Sequence, residues 1–445
     1  MKRSDIFTVP DKNITSDGAV DPMGMQLIWT YFGQKIFNKK LTTVSTDARN
    51  YTINLLHHYV LYQLEAQGEL RYAMEKYSAY KSEYLTKAGL VIFMENLLVY
   101  SLMDQDQQDT VNTIGILGRN KAQKNLAGSK YHQIKIEAEV DKEILVRQIQ
   151  LGVNGRYKGP FMMMKIIGLK NLNYFDEEFR RIKNDVFDKW EEGRKLADEL
   201  IEIIKKLLKN GSGEHPVATL DNYKEHKTLW SLYAKCFGQI EVNDTLKNYW
   251  SDMLGITTGA ASAIYSAATE HNSRSEVIKL ACQVDQSPEQ LGLLQDILQI
   301  EPFLSRCMHA FQLTIDKSCS EISKIKKELN KLRKDLPIKR AVEIAYNSKD
   351  PEDDKNKERL KMLVRDLKGN TTSNEKFITA IISYHTKVMK DRGGSAWVEL
   401  GSNKQIKHNV HQTTRAPIDK VVSGEYWYNS YYIDAIKSIK KGLNP

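Results

Sequence analysis

From Asp176 to Leu208 the apolar residues Phe179, Ile182, Val186, Trp190, Leu196, Leu200, Ile203 and Leu207 recur at helical spacing. That period commits the segment to an amphipathic helix of about nine turns, bent or broken near Gly193. The same period returns through most of the chain. Asp21-Pro22 supplies an N-cap and a first-turn proline for a helix through Leu27, Ile28, Tyr31 and Phe32. Asp47 to Glu65 carries Ile53, Leu56, Val60 and Leu64 on one face, and Glu69 to Met103 carries Tyr77, Tyr80 and Tyr84 on one stripe. Further helices pass through Trp230 and Trp250, and the capping-box start Ser287-Pro288-Glu289-Gln290 opens one expected to run to about Pro302. Strand patterns are few. His132 to Val140 alternates Ile134, Ile136, Ala138 and Val140, while Ala396–Leu400 and Gln405–Gln412 flank a Gly-Ser-Asn-Lys turn. The expected fold is therefore mainly α: a multi-helical body with a small C-terminal α+β subdomain built on a β-hairpin.

Punctuation divides the chain. Residues 1–20 read as an irregular leader and 21–209 as an N-terminal helical domain with a short strand and a basic helix-loop-helix at 141–170. The polar, glycine-rich stretch 210–216 reads as a linker. Residues 217–374 follow as a second helical domain. Within it Ile315, Ile322, Ile325, Leu329, Leu332 and Leu336 keep the spacing of a short coiled coil, interrupted by Pro337 and answered by Leu360, Leu363, Val364 and Leu367. That makes a coiled-coil hairpin over 315–367, which either projects toward a partner or packs against the protein's own domain, and residues 375–445 hold the basic β-hairpin and an aromatic block.

Charge is where function begins to show. The 445 residues carry a net charge of +9, and it is unevenly placed. Residues 119–170 hold 11 Lys/Arg against 4 Asp/Glu and residues 380–445 hold 10 against 5, so the remainder of the chain is acidic by 3. Clustered positive charge favours a polyanionic partner, with nucleic acid ahead of an anionic membrane surface and DNA ahead of RNA. Leu117 to Lys135 contains no acid, nor does Ile144 to Phe175. In the latter, Gly152 reads as a C-cap, Asn154-Gly155 as a turn, and Pro160 as the first residue of a new helix. Arg156 and Lys158 would then stand before a helix N-terminus, an arrangement suited to phosphate. A plain interhelical joint with solvated cations accounts for the same residues.

At the C-terminus, cations lie among aromatics: Arg392, Trp397, Lys404, Lys407 and His408 on or beside the hairpin, with Tyr426, Trp427, Tyr428, Tyr431 and Tyr432 behind. Such interleaving suits single strands, although the same aromatics could equally cover the end of a helical body. The candidate nucleic-acid contacts are thus Arg119, Lys121, Lys124, Arg147, Asn154, Arg156, Lys158, Lys165, Arg392, Trp397, Lys404, Lys407 and His408. Leu254 to Ile264 has the turn of a helix-turn-helix, but Thr257, Thr258, Gly259, Ala260, Ala261 and Ser262 are too small to read base edges, and close helix packing explains them better.

Catalytic patterns are missing. The sequence holds no phosphate-cradling G-x-x-x-x-G-K-[ST] or dinucleotide G-x-G-x-x-G loop, no H-E-x-x-H and no G-x-S-x-G. Asp104, Asp106 and Asp109 sit on one polar turn, where solvent is the usual neighbour, so no metal and no cofactor is expected. Glu399 with Lys407 and His408 is the loosest of nuclease constellations, and His57-His58 reads as core. Cys236, Cys282, Cys307 and Cys319 lie far apart, and the apolar run Gly89 to Met103 is short for a membrane span and contains Glu95. A cytoplasmic setting without membrane insertion follows. The combined expectation is a non-catalytic nucleic-acid-binding subunit of a larger assembly, an ATPase or nuclease among its partners, in microbial genome maintenance or antiviral defence. The alternatives are a protein-interaction scaffold using the coiled-coil hairpin and a divergent metal-dependent nuclease at the C-terminus.

Overall fold

The computed structural model describes residues 21–106, 111–137, 144–145, 148–168, 172–223, 226–316, 319, 321–347, 351–401, 405–410 and 416–444. The expected leader, and Arg147 and Lys404 among the candidate contacts, lie outside them. Helix makes up 67% of the protein, and among the described residues the sheets are two antiparallel strand pairs, so the fold is mainly α with a small α+β part.

The chain forms two compact units, one of residues up to Ile36 with Thr258–Ile433, the other of Phe37–Thr257 with residues from Asp434 onward. The division therefore falls at Thr257 and not at 210–216. That stretch lies inside the Phe37–Thr257 unit, where Ala79 N donates to Glu214 O at 2.9 Å and Gly211 N to Leu207 O at 2.9 Å.

The Phe37–Thr257 unit is arranged round the helix Glu83–Asp106, whose most apolar stretch is long enough to cross a membrane by composition yet is 94% buried inside the protein. Ala48–Ala66, Glu191–Asn210 and Lys227–Phe237 are among the helices of this unit. The expected continuous helix over 69–103 is interrupted, because Ser82 accepts Leu85 N with its hydroxyl and Thr86 N with its carbonyl, starting a second helix there. Tyr77 and Tyr80 fill the turn and are buried, Tyr77 donating to Leu208 O at 2.7 Å. These two are core, while Tyr84 is half-exposed.

The long amphipathic segment divides as Asp176–Ile182, a π-turn over Lys183–Phe187, and Glu191–Asn210. Its break comes just before Gly193, where the Trp190 ring packs over the space a side chain would need. The strand Lys135–Glu137 finds its partner in Val217–Thr219, pairing Ile136 with Ala218. A buried knot ties the loops down. Asp47 caps Ala48–Ala66 and takes the Arg49 guanidinium at 2.6 Å, while Arg49 also donates to Asn112 O and Phe237 O at 2.6 and 2.9 Å. With its charge neutralised and its donors engaged, Arg49 can be buried completely.

The Thr258–Ile433 unit is organised on the helix Pro288–Thr314. Ser287 caps it as expected, but it continues through Pro302 because Ile297, Ile300, Phe303 and Leu304 are fully buried on both sides of the proline. That burial outweighs the ~3 kcal/mol a mid-helix proline costs. The expected coiled-coil seam is broken into a 3₁₀ turn at Ile322–Ile325 and the eight-residue helix Lys326–Arg333. Leu329 and Leu332 are fully buried in the unit's own core, leaving no projecting hairpin for a partner.

The C-terminal hairpin forms, with Val398–Leu400 opposite Ile406–His408. Behind it Trp427, Tyr431 and Tyr432 are buried. Tyr431 and Tyr432 hold left-handed backbone angles of +47° and +62°, held by buried Glu301, which accepts Tyr431 OH at 2.6 Å and Asn429 Nδ2 at 2.8 Å.

Near the helix-turn-helix resemblance, Gly255 ends Asp244–Leu254 in the left-handed conformation its position demanded. Ala260, Ala261 and Ala263 of the helix Gly259–Ala267 are buried, which is the packing role their size implied.

Candidate nucleic-acid interface

The candidate contacts between Arg119 and Lys165 sort by the side of the helix Glu83–Asp106 on which they stand. Near its start, the Lys158 ammonium lies 5.7 Å from the centre of the Tyr84 ring. Three turns on, buried Glu95 accepts Gln148 Nε2 at 2.9 Å and the Asn154 amide at 3.0 Å. Farther along, Tyr100 OH accepts Asn125 Nδ2 at 2.7 Å, and Asp104 accepts the Tyr131 hydroxyl. At about 100° per residue Tyr84 and Glu95 share one side, and Tyr100 and Asp104 share another roughly 140–180° away from Glu95. The residues of the core helix that bond the two basic segments therefore lie on different sides of it, although the Ile144 side chain packs over Gly118 at the start of the Arg119–Gly128 helix.

On the Glu95 side the expected phosphate site is absent. The second helix begins at Val153 and not at Pro160, which lies in its interior. Gly152 is its N-cap with φ −71°, and the anion at its start is the protein's own Glu95. A buried carboxylate at a helix N-terminus satisfies both the dipole and an unpaired amide, so the turn anticipated at Asn154-Gly155 is replaced by helix. Asn154 is buried, its Oδ1 3.0 Å from His58 Nε2. Arg156 is half-buried and donates from Nε to Leu151 O at 2.6 Å; Lys165 is exposed at φ +61°.

Beneath these residues is a polar cluster built on a buried lysine. Lys87 is fully buried, pairing with Glu83 and with Glu65 at 2.8 Å, and stands 4.3 Å from the centre of the Tyr174 ring. Tyr174 OH in turn lies 3.2 Å from His58 Nδ1. Burial, with the positive charges of Lys87 and Lys158 nearby, lowers the His58 pKa to about 4, and burial lowers that of His57 to about 3. Both are core histidines.

The opposite side keeps its charge in solvent. After left-handed Gly118 comes the helix Arg119–Gly128, then a 3₁₀ turn Tyr131–Gln133 and the strand Lys135–Glu137. Ala122 is its buried residue, and Asn125 is the one tied to Tyr100. Lys121, Lys124, Lys130, His132 and Lys135 are exposed, and Arg119 is half-exposed. Lys135 forms a long ion pair with Glu137 at 4.0 Å. Lys130, His132 and Lys135, together with Asn120 and Gln123 of the helix, belong to this surface although the sequence singled out only Arg119, Lys121 and Lys124. The available signal was the acid-free run itself.

The C-terminal candidates behave differently. Trp397 is buried, and its amide donates to His385 Nε2 at 2.8 Å, so the ring is no stacking platform. Arg392 is bound to Asp21 at 3.3 Å, His408 Nε2 lies 2.7 Å from Thr314 O, and exposed Lys407 stands directly across the strands from Glu399. Among the described residues no group of three or more His, Cys, Asp or Glu is placed to hold a metal ion. The hairpin thus closes the end of its unit, with its charges largely internal or opposed.

No family model matches the chain, and neither a curated protein nor a solved structure is significantly similar to it.

Proposed function

We propose that this protein binds nucleic acid, DNA ahead of RNA, through the surface formed by residues 119–135, and does so as a non-catalytic subunit whose partners supply any motor or nuclease activity. Genome maintenance or antiviral defence is the setting this reading favours. The observation that carries it is the run of exposed cations on Arg119–Gly128 and the turn and strand after it, with no acid between Leu117 and Lys135. Cations so placed gain affinity by releasing the counterions condensed on a polyanion, and the gain falls as salt rises.

The test is binding of the full chain to duplex and single-stranded DNA and RNA across a salt series. The double change Lys121→Glu/Lys130→Glu is expected to weaken binding to every sequence and to make the slope of log K against log salt shallower by about 2. Binding and slope equal to the wild type would remove this surface from the proposal. Arg156→Glu/Lys158→Glu, on the other side of the core helix, measures separately whether that segment contributes.

A further inference from the structure

The helix Arg119–Gly128 presents more than charge. Asn120, Gln123, Lys124 and Ala127 are all exposed and stand at i, i+3, i+4 and i+7, one stripe along its outer face. Ala122 and Asn125 face the other way, the first buried and the second bonded to Tyr100. Arg119 and Lys121 lie about 100° to either side of Asn120.

These residue types match what base edges require. Asn and Gln pair in bidentate fashion with adenine N6 and N7, Lys donates to guanine O6 and N7, and a small apolar side chain suits the thymine methyl. Building on the nucleic-acid reading proposed above, we infer that this helix is a recognition helix that enters the major groove of duplex DNA and reads sequence with Asn120, Gln123 and Lys124.

The dimensions agree. From Asn120 to Ala127 the stripe is about 10 Å long, or three base-pair steps of ~3.4 Å, and a helix of about 10–12 Å diameter fits a major groove about 12 Å wide. Exposed Lys121 then faces one phosphate wall of the groove, and exposed Lys130 continues the backbone contact beyond the helix. The helix is held rigidly enough to read. Ala122 is fully buried at its centre, Asn125 is bonded to the core helix, and the Tyr131 hydroxyl is bonded to Asp104 just after it. Of the aromatics that would favour single strands elsewhere in the chain, Trp397, Trp427, Tyr431 and Tyr432 are buried, leaving Tyr426 exposed. Duplex RNA is disfavoured because its major groove is too deep and narrow for side chains to reach base edges.

The experiment is selection of the full-length protein against a randomised duplex DNA library, repeated with Asn120→Ala/Gln123→Ala. The wild type is expected to enrich a motif of three or four consecutive base pairs, with a wrong base costing roughly 5- to 150-fold at a contacted position. The variant is expected to lose that motif while keeping its affinity for unselected duplex, which also shows that it is folded. Duplex binding without an enriched motif, or a motif unchanged in the variant, overturns the recognition helix and leaves backbone binding standing. No duplex binding at low salt overturns both.

Discussion

His385 shows how a buried titratable group can be tuned by geometry alone. Its Nε2 accepts the Trp397 amide at 2.8 Å and its Nδ1 donates to Pro22 O at 2.9 Å, an arrangement only the neutral ring satisfies. Burial accordingly lowers its pKa to about 4, alongside about 4 for His58 and about 3 for His57. An unfolded chain would protonate all three near pH 6.5. Between these values the unfolded state binds more protons than the native one, so stability is complete above about pH 6.5 and is lost as pH falls toward 4. Each unit of depression is worth roughly 1.4 kcal/mol. The thermal midpoint is therefore expected to be flat from pH 8 to about 6.5 and to drop steeply below, with a shallower drop in His385→Gln. A midpoint unchanged between pH 7 and 5 would contradict the assignment of these rings as neutral.

The helix Val153–Met163 begins where it does because of a residue more than fifty positions earlier. Glu95 supplies the acceptor for the Asn154 amide and for Gln148 Nε2, and with it the first turn forms at Val153. Glu95→Ala removes both bonds from a buried site and is expected to cost about 1–3 kcal/mol. Hydrogen exchange gives the sharper reading: the Asn154 amide should exchange much faster in Glu95→Ala, with Glu95→Gln intermediate because one acceptor oxygen remains. Unchanged protection of Asn154 would mean the helix start does not depend on this carboxylate. The Arg119–Gly128 helix, by contrast, starts at the left-handed N-cap Gly118 with no side-chain cap bond, and its Lys121 and Lys124 are exposed. That difference is why the 119–135 surface, and not the 153–165 segment, carries the functional proposal.

Both units are discontinuous in sequence. The Phe37–Thr257 unit is completed by residues from Asp434 onward, whose Ile436, Ile439 and Leu443 are fully buried, and Gly442 O accepts the Val242 amide at 3.0 Å. Removing three such aliphatic side chains from a core costs about 1.5–3 kcal/mol each. A chain ending at Tyr432 is expected to show a lower unfolding midpoint and faster proteolysis within 37–257 than the full protein, and adding 434–445 back in trans as a peptide should recover part of the difference. Equal proteolysis rates would show that the Phe37–Thr257 unit is complete without its last helix.

Local and periodic features were legible in the residues themselves. The Ser287 cap, the Gly255 turn, a strand within 132–140, a hairpin within 396–412 and the helical class all follow from short-range chemistry, because caps, turns and apolar period act within a few residues. The candidate site was half legible. An acid-free run predicts a basic surface, but only burial decides which of its cations face water, and that depends on what the chain folds against. Glu95 is an acid outside the 144–175 run, so its place at the start of the Val153–Met163 helix could not be read there. Trp397 looked like a stacking ring until the amide of its own residue was found bonded to a buried histidine. Leu329 and Leu332 kept coiled-coil spacing, yet the same period serves a short helix inside a core. What the sequence by itself determined was the helical period and its punctuation; what the tertiary structure decided was which face met the core, because burial is a property of neighbours distant along the chain.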